Sequence, residues 1–164
     1  MKAIVAVDKK WGIGKNNDLL FSIPADMKFF RETTAGKIVV MGANTLRSFP
    51  GGNPLKNRVN IVLSTTLNRD DCVIVKSLEE LLKEIKKYPA DDVFLIGGAR
   101  LYNTLIPYCD QALITKVDAD GNAEVFFPDL DKEDAWTMVD QSQSIESNGY
   151  SIKFTTYKNS AVKG

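Results

Sequence analysis

Histidine is absent from this 164-residue chain. A nucleophile–imidazole triad or a Cys-His dyad is therefore excluded, and so are the common zinc sites that need a histidine ligand. Cysteine is scarce: Cys72 and Cys109 stand far apart, so there is no C-x-x-C motif. Both fall in apolar stretches and read as core thiols of a reducing compartment, here the cytoplasm. Net charge is lacking too, because 21 Lys and Arg balance 21 Asp and Glu along the chain. No basic stripe offers itself to nucleic acid and no polybasic arm to a membrane. No apolar run exceeds strand length, which argues against a transmembrane helix and a secretory leader. The expectation is a monomer acting on a small molecule. Its acid–base chemistry must come from carboxylates, tyrosine, lysine or a bound cofactor.

What is present is an alternation of buried strands and helices. Continuous apolar runs at Lys2–Val7, Lys37–Met41, Arg58–Leu63, Val73–Val75, Asp92–Ile96 and Ala112–Val117 read as interior strands. Ser77 with Glu80 forms a capping box, and Leu78, Leu81, Leu82 and Ile85 give the following helix one apolar stripe. Short helices are expected at Ala43–Phe49 and Ala99–Ile106, and the PGGNP run at Pro50–Pro54 is a loop. Tyr150, Ile152 and Phe154 alternate with Ser151, Lys153 and Thr155, the pattern of an antiparallel strand with one solvated face. The sum is a single α/β domain, residues 1–158 with a tail at 159–164. Its central sheet is mostly parallel, flanked by helices, and carries an antiparallel C-terminal edge strand.

In such sheets ligands bind beyond the carboxyl ends of the strands. Gly42, Ser64 and Gly97-Gly98 all fall there. Strand, paired glycines and helix suit a phosphate, since a ligand can approach the backbone and meet free N–H groups. Gly12-Ile13-Gly14 is a weaker hint of a dinucleotide fingerprint, because Asn17 stands where a third glycine belongs; the Asp8–Asn17 stretch reads as a loop. The most informative stretch is LLFSIPADMKFFRETT, Leu19–Thr34. Pro24 suits a first helical turn, and Asp26 follows among apolar neighbours, with Met27, Phe30 and Arg31 on one face. Asp26 reads either as an ordinary first-turn acid or as a pocketed carboxylate able to manage a proton.

The order of these motifs resembles dihydrofolate reductase. The resemblance rests on IVAV (Ile4–Val7), GIGKNND (Gly12–Asp18), IPAD (Ile23–Asp26), MG with Thr45 and Ser48, PLKNR (Pro54–Arg58), NIVLS (Asn60–Ser64), IGGARLY (Ile96–Tyr102) and FFPD (Phe126–Asp129). It implies reduction of 7,8-dihydrofolate to tetrahydrofolate by NADPH. On this resemblance Asp26, Tyr102 and Leu19 are catalytic. Ile4, Val5, Asp26, Phe30, Arg31, Phe49, Leu55, Arg58, Ile96 and Thr115 bind substrate. Asp26 and Thr115 would take the pterin, Ile4 and Ile96 would offer it carbonyls, and Arg58 would pair with the glutamate carboxylate. Ala6, Ile13, Gly14, Gly42, Asn44, Thr45, Ser64, Thr65, Lys76, Gly97, Gly98, Ala99, Arg100, Leu101 and Tyr102 would hold NADPH. A cis Gly97-Gly98 peptide and a Gly12–Leu20 lid are further implications. No metal is implied.

Three departures from the family pattern stand out. Ala43-Asn44 replaces a basic pair, no arginine follows Ser64, and Leu20-Phe21 replaces Pro-Trp at the end of the lid. Each lost phosphate contact costs about 1–3 kcal/mol. Selectivity for NADPH over NADH would then rest on Ser64, Thr65 and Lys76. Two other readings stay open: an NADPH-dependent pyrimidine reductase of riboflavin synthesis, and a non-catalytic pterin- or nucleotide-binding module.

Overall fold

Apolar strands without polar alternation need cover on both faces, and the chain supplies it with helices on each side. The computed structural model describes residues 1–16 and 18–164; Asn17, the position compared with a third fingerprint glycine, lies outside them. The elements run β1 (Lys2–Val7), β2 (Gly12–Lys15), β3 (Asp18–Leu19), α1 (Pro24–Thr34), β4 (Ile38–Gly42), α2 (Ala43–Ser48), β5 (Val59–Leu63) and β6 (Val73–Val75). They continue α3 (Leu78–Ile85), β7 (Val93–Gly97), α4 (Ala99–Leu105), β8 (Gln111–Val117), β9 (Val125–Phe126), β10 (Trp136–Gln141), β11 (Ile145–Ser147) and β12 (Tyr150–Asn159). Among the described residues no helix is long and apolar enough to cross a membrane.

The main sheet has the order β6-β5-β4-β7-β1-β8-β12-β10. From β6 to β8 neighbouring strands are parallel, and β12 then runs antiparallel between β8 and β10. The antiparallel carboxyl-terminal strand is thus present, with β10 outside it at the rim and β11 folded back on it as a hairpin. Its expected solvated face is covered: Thr155 is buried and gives its hydroxyl proton to the Ile114 carbonyl, and Tyr157 is fully buried. Two cores result. Val40, Ile61, Leu95 and Ile114 pack with Leu81 of α3 and Leu105 of α4 on one face. Ile4, Val39, Met41, Val62 and Phe94 pack with Phe29 and Phe30 of α1 and Leu46 of α2 on the other.

The Asp8–Asn17 stretch departs from the expected plain loop. Within it, β2 pairs with both β3 and β9 in a small separate sheet. The organiser is Asp8, a buried acid the sequence reading passed over. Its carboxylate accepts from the N–H groups of Lys10 (2.8 Å), Gly12 (2.8 Å) and Gly121 (3.0 Å). A buried carboxylate needs such partners, and these three tie the loop's two ends to the 119–123 turn. A side chain at Gly12 would strike Ala123 and the Asp8 carboxylate itself. Cys109 is a core thiol as expected, whereas Cys72 is only half-buried beside Asp71.

Candidate active site

Helix α1 starts without a side-chain cap of its own. The β11–β12 hairpin holds it instead: Ala25 N–H donates to Ser147 Oγ (3.2 Å), and Asn148 Nδ2 donates to the Ser22 carbonyl (2.8 Å). Sequence reasoning missed both residues, since a cap from 120 residues away leaves no local pattern. The inward face of α1 carries Asp26, Phe29, Phe30, Thr33 and Thr34, while Met27 and Arg31 are exposed. Phe29, also missed, stacks on Phe154 with ring centroids 4.5 Å apart.

Asp26 is half-buried on this face, and Thr115 Oγ1 of β8 donates to its Oδ1 at 2.7 Å. Burial pushes its pKa above the ordinary carboxylate range, and the threonine hydrogen bond opposes that only in part. Thr115 sits in register with Ala6 of β1, and β1 lies against β7, which ends at Gly97. Two strand spacings, about 10 Å, therefore separate the strand of the acid's threonine partner from the strand that ends at the paired glycines. Between them Tyr102 reaches under β1 and donates its hydroxyl to the Ile4 carbonyl at 2.7 Å. Complete burial drives the phenol's pKa far up, so it stays a neutral donor.

At the other end of α1, Arg58 lies over the Phe30 ring, its guanidinium carbon 6.0 Å from the centroid. Its Nη2 makes only a long contact with the Arg31 carbonyl (3.5 Å), and its buried Nε has no partner. Burial and the neighbouring Arg31 both lower its pKa. A planar cation with an orphaned donor beside a second cation is a receptor for a carboxylate. Asn60, another residue missed in the sequence, shapes this corner. Its amide takes the Leu55 N–H (2.9 Å) and donates to the carbonyls of Leu55 (2.9 Å) and Arg58 (3.2 Å). Phe49 and Leu55 join Phe30 in the apolar wall.

On the far side of Gly97 the site changes character. The Gly97-Gly98 peptide bond is cis, with Gly97 at φ +144°. A Cβ on Gly97 would approach Thr45 Oγ1 to 3.0 Å, so only bare backbone fits there. Gly42, by contrast, faces open space. Ser64 Oγ accepts from the N–H groups of Thr66 (3.2 Å) and Leu67 (3.1 Å) and shares a long hydroxyl contact with Thr66 Oγ1 (3.5 Å). Thr65, Lys76 and Arg100 are exposed around this rim. Hydroxyls, cations and bare glycine backbone suit a dinucleotide's phosphates.

Other expected site residues lie elsewhere. Leu19 is 77% exposed on β3, opposite Gly14, with its side chain in solvent rather than against Asp26. Ile13 and Leu101 are buried in the core cluster on the α4 face. Asn44 is exposed and accepts from Arg47 Nη1 at 2.7 Å. A separate hollow of about 500 Å³, lined by Trp11, Lys116, Asp131 and Lys153 among others, opens elsewhere. Lys116 follows Thr115 in β8 and so points to the opposite face of the sheet from the Asp26 pair.

A half-buried acid on an apolar face, an anion receptor at one end and a rim of hydroxyls, cations and glycine backbone across the strand ends fit a nucleotide-dependent enzyme of the α/β class. Comparison with known proteins narrows this. The family model described as dihydrofolate reductase matches residues 1–159. The chain is 37% identical to the dihydrofolate reductase of Bacillus subtilis, with 98% of this chain and 96% of that one covered. It is 35% identical to that of Haemophilus influenzae, over 92% and 93%. Among solved structures, dihydrofolate reductase from Enterococcus faecalis complexed with NADP(H) and RAB-propyl superposes with a TM-score of 0.85. That pair is 31% identical, covering 96% of this chain and 95% of the other. The chain belongs to the dihydrofolate reductase family.

Proposed function

We propose that this chain reduces 7,8-dihydrofolate to tetrahydrofolate with NADPH, using Asp26 as the carboxylate that binds the pterin and manages its proton. The observation that carries this role is the Thr115–Asp26 hydrogen bond, which fixes a half-buried, otherwise solitary acid on an apolar face. Thr115 fills one lone pair of Oδ1 and leaves the remaining acceptor sites to a ligand's N–H groups. A carboxylate so held favours the protonated, cationic pterin, which accepts a hydride more readily. The bound nicotinamide supplies that hydride.

The other residues orient. Tyr102 fixes the Ile4 carbonyl that, with Ile96, accepts from the pterin amino group. Phe30, Phe49 and Leu55 sandwich the middle of the substrate, and Arg58 with Arg31 takes its carboxylate end. Thr45, Ser64, Thr65, Lys76 and Arg100 would hold the cofactor's phosphates, with Gly97 and Gly98 admitting it to the backbone. By the same resemblance the Gly12–Leu20 stretch would act as a lid over a bound nicotinamide, with residue 17 outside the described residues. It is braced by Glu124, whose N–H donates to the Gly14 carbonyl and whose Oε1 accepts from Asn16 N–H. The protein works as a cytoplasmic monomer on a small molecule, consistent with its two free thiols and balanced charge. The expected boundary after residue 158 falls inside β12: Asn159 ends that strand and donates its N–H to the Asp110 carbonyl, and Ser160 N–H donates to the Ala135 carbonyl. Loss of NADPH absorbance on adding dihydrofolate, repeated with NADH, tests the reading; NADPH binding without turnover would refute it.

A further inference from the structure

Arg69, in the loop between β5 and β6, is used by neither the sequence motifs nor the proposed chemistry. Its Nε and Nη2 grip Asp71 Oδ1 and Oδ2 at 2.9 and 2.6 Å, a two-pronged pairing that fixes the plane of the guanidinium. The remaining arm, Nη1, donates to the Gly52 carbonyl at 2.7 Å, 17 residues earlier in the chain. Gly52 belongs to the Pro50–Gly52 turn between Phe49 and Leu55, and Gly51 and Gly52 both have positive φ. Such glycines allow the turn without defining it. The turn closes on itself through Gly52 N–H to the Phe49 carbonyl and Asn53 N–H to the Pro50 carbonyl, and two outside pins tie this segment to the rest of the protein: Asn60 on Leu55, and Arg69 on Gly52.

We propose that Arg69 is a positioning residue for substrate, a strut that holds the Phe49–Leu55 wall in place from the Ser64–Cys72 loop. The inference rests on the reading that Phe49, Leu55 and Arg58 receive the substrate's benzoyl-glutamate portion. An exposed Arg–Asp pair by itself contributes little to stability. What sets this pair apart is the third hydrogen bond, to the backbone of a different loop, reinforced by Leu67 packing in the same apolar cluster as Phe49 and Leu55. Asp71 acts one step further out, by aiming the guanidinium. Lysine cannot replace the arrangement, because an ammonium lacks the planar fork that meets a carboxylate and a carbonyl together.

The test compares two substrates on the whole enzyme: dihydrofolate, and a dihydropterin whose tail is cut back to a methyl group. Arg69→Ala should lower kcat/KM for dihydrofolate about fivefold more than for the truncated dihydropterin, the size of one modest hydrogen bond. The loss should fall mainly on KM, and calorimetric binding of folate should weaken by the same factor. Asp71→Asn, a milder change, should move both in the same direction by less. Arg58→Ala serves as the reference and must also penalise only the full-length substrate. Discrimination by Arg58→Ala without any by Arg69→Ala overturns the strut alone. Equal losses on both substrates mean a general structural defect and overturn it as well. Indifference of Arg58→Ala overturns the underlying substrate-site reading, and the strut with it.

Discussion

Replacing Asp26 by Asn removes one charge and almost no volume, so its effect on rate isolates the electrostatic role. The acid sits half-buried against Thr115, and its raised pKa reports the poorly solvating surroundings. At an effective dielectric of about 20, a carboxylate about 4 Å from a cation stabilises it by about 4 kcal/mol. That corresponds to about three pK units on the pterin, hence about a thousandfold in its protonated fraction at neutral pH. Single-turnover hydride transfer, followed by NADPH absorbance and checked with deuterated NADPH, should slow by that order in Asp26→Asn. Acidifying the buffer should recover about tenfold per pH unit, as solution protonates the pterin directly. A loss below about tenfold at neutral pH, or one that does not change with pH, would refute the reasoning.

The same variant should be the more stable protein. A carboxylate whose folded pKa is raised binds more protons native than unfolded, so wild-type stability falls as pH climbs through that window. Asp26→Asn escapes this loss; its melting temperature should exceed wild type at neutral pH, with the gap closing towards the ordinary value of 3.8. Arg58→Lys should raise KM for dihydrofolate at least about tenfold, because one ammonium cannot replace a two-pronged guanidinium; unchanged KM would count against it. Tyr102→Phe frees the Ile4 carbonyl of its 2.7 Å donor and should cost about 1 kcal/mol in thermal or denaturant unfolding, with a lower kcat. Gly97→Ala forces a Cβ to within 3.0 Å of Thr45 Oγ1 at φ +144° and should destabilise by about 1–3 kcal/mol. Gly98→Ala, at φ −97° and 3.5 Å from the same atom, should cost visibly less in the same melts. Ala43→Arg should tighten NADPH more than NADH in a fluorescence titration; equal gains would put the new cation at the pyrophosphate rather than the 2′-phosphate.

The legible parts of this protein were those written in short-range pattern. Val39, Val40 and Met41 form an unbroken apolar run because the strand is covered on both faces, and such a run can be recognised without coordinates. Ser77 caps α3 by accepting from Glu80 N–H, as the four-residue motif predicts. The illegible parts depend on residues far apart in the chain. β2 pairs with β9, more than 100 residues later, as well as with nearby β3, and Asp8 ties its own turn to Gly121, 113 residues away. Thr155 looked like a solvated position, yet it is buried and gives its hydroxyl proton to the Ile114 carbonyl of β8, 41 residues away. Leu19, placed by motif next to the chemistry, points into solvent because the β2–β3 pairing turns it outward.

By itself the amino-acid order limited the chemistry that was possible: without imidazole, acid–base work falls to carboxylates, tyrosine, lysine or a cofactor, and one acid stands among apolar neighbours in an IPAD turn. It also determined the strand–helix rhythm, because hydrophobic burial and turn residues act over a few positions. Only the tertiary structure decided which groups meet. Thr115 reaches Asp26 across 89 residues, Tyr102 reaches Ile4 across 98, and Arg69 reaches Gly52 across 17. Hydrogen bonds of this kind are fixed by how strands are ordered in the sheet, and that order is a property of the whole core rather than of any local segment.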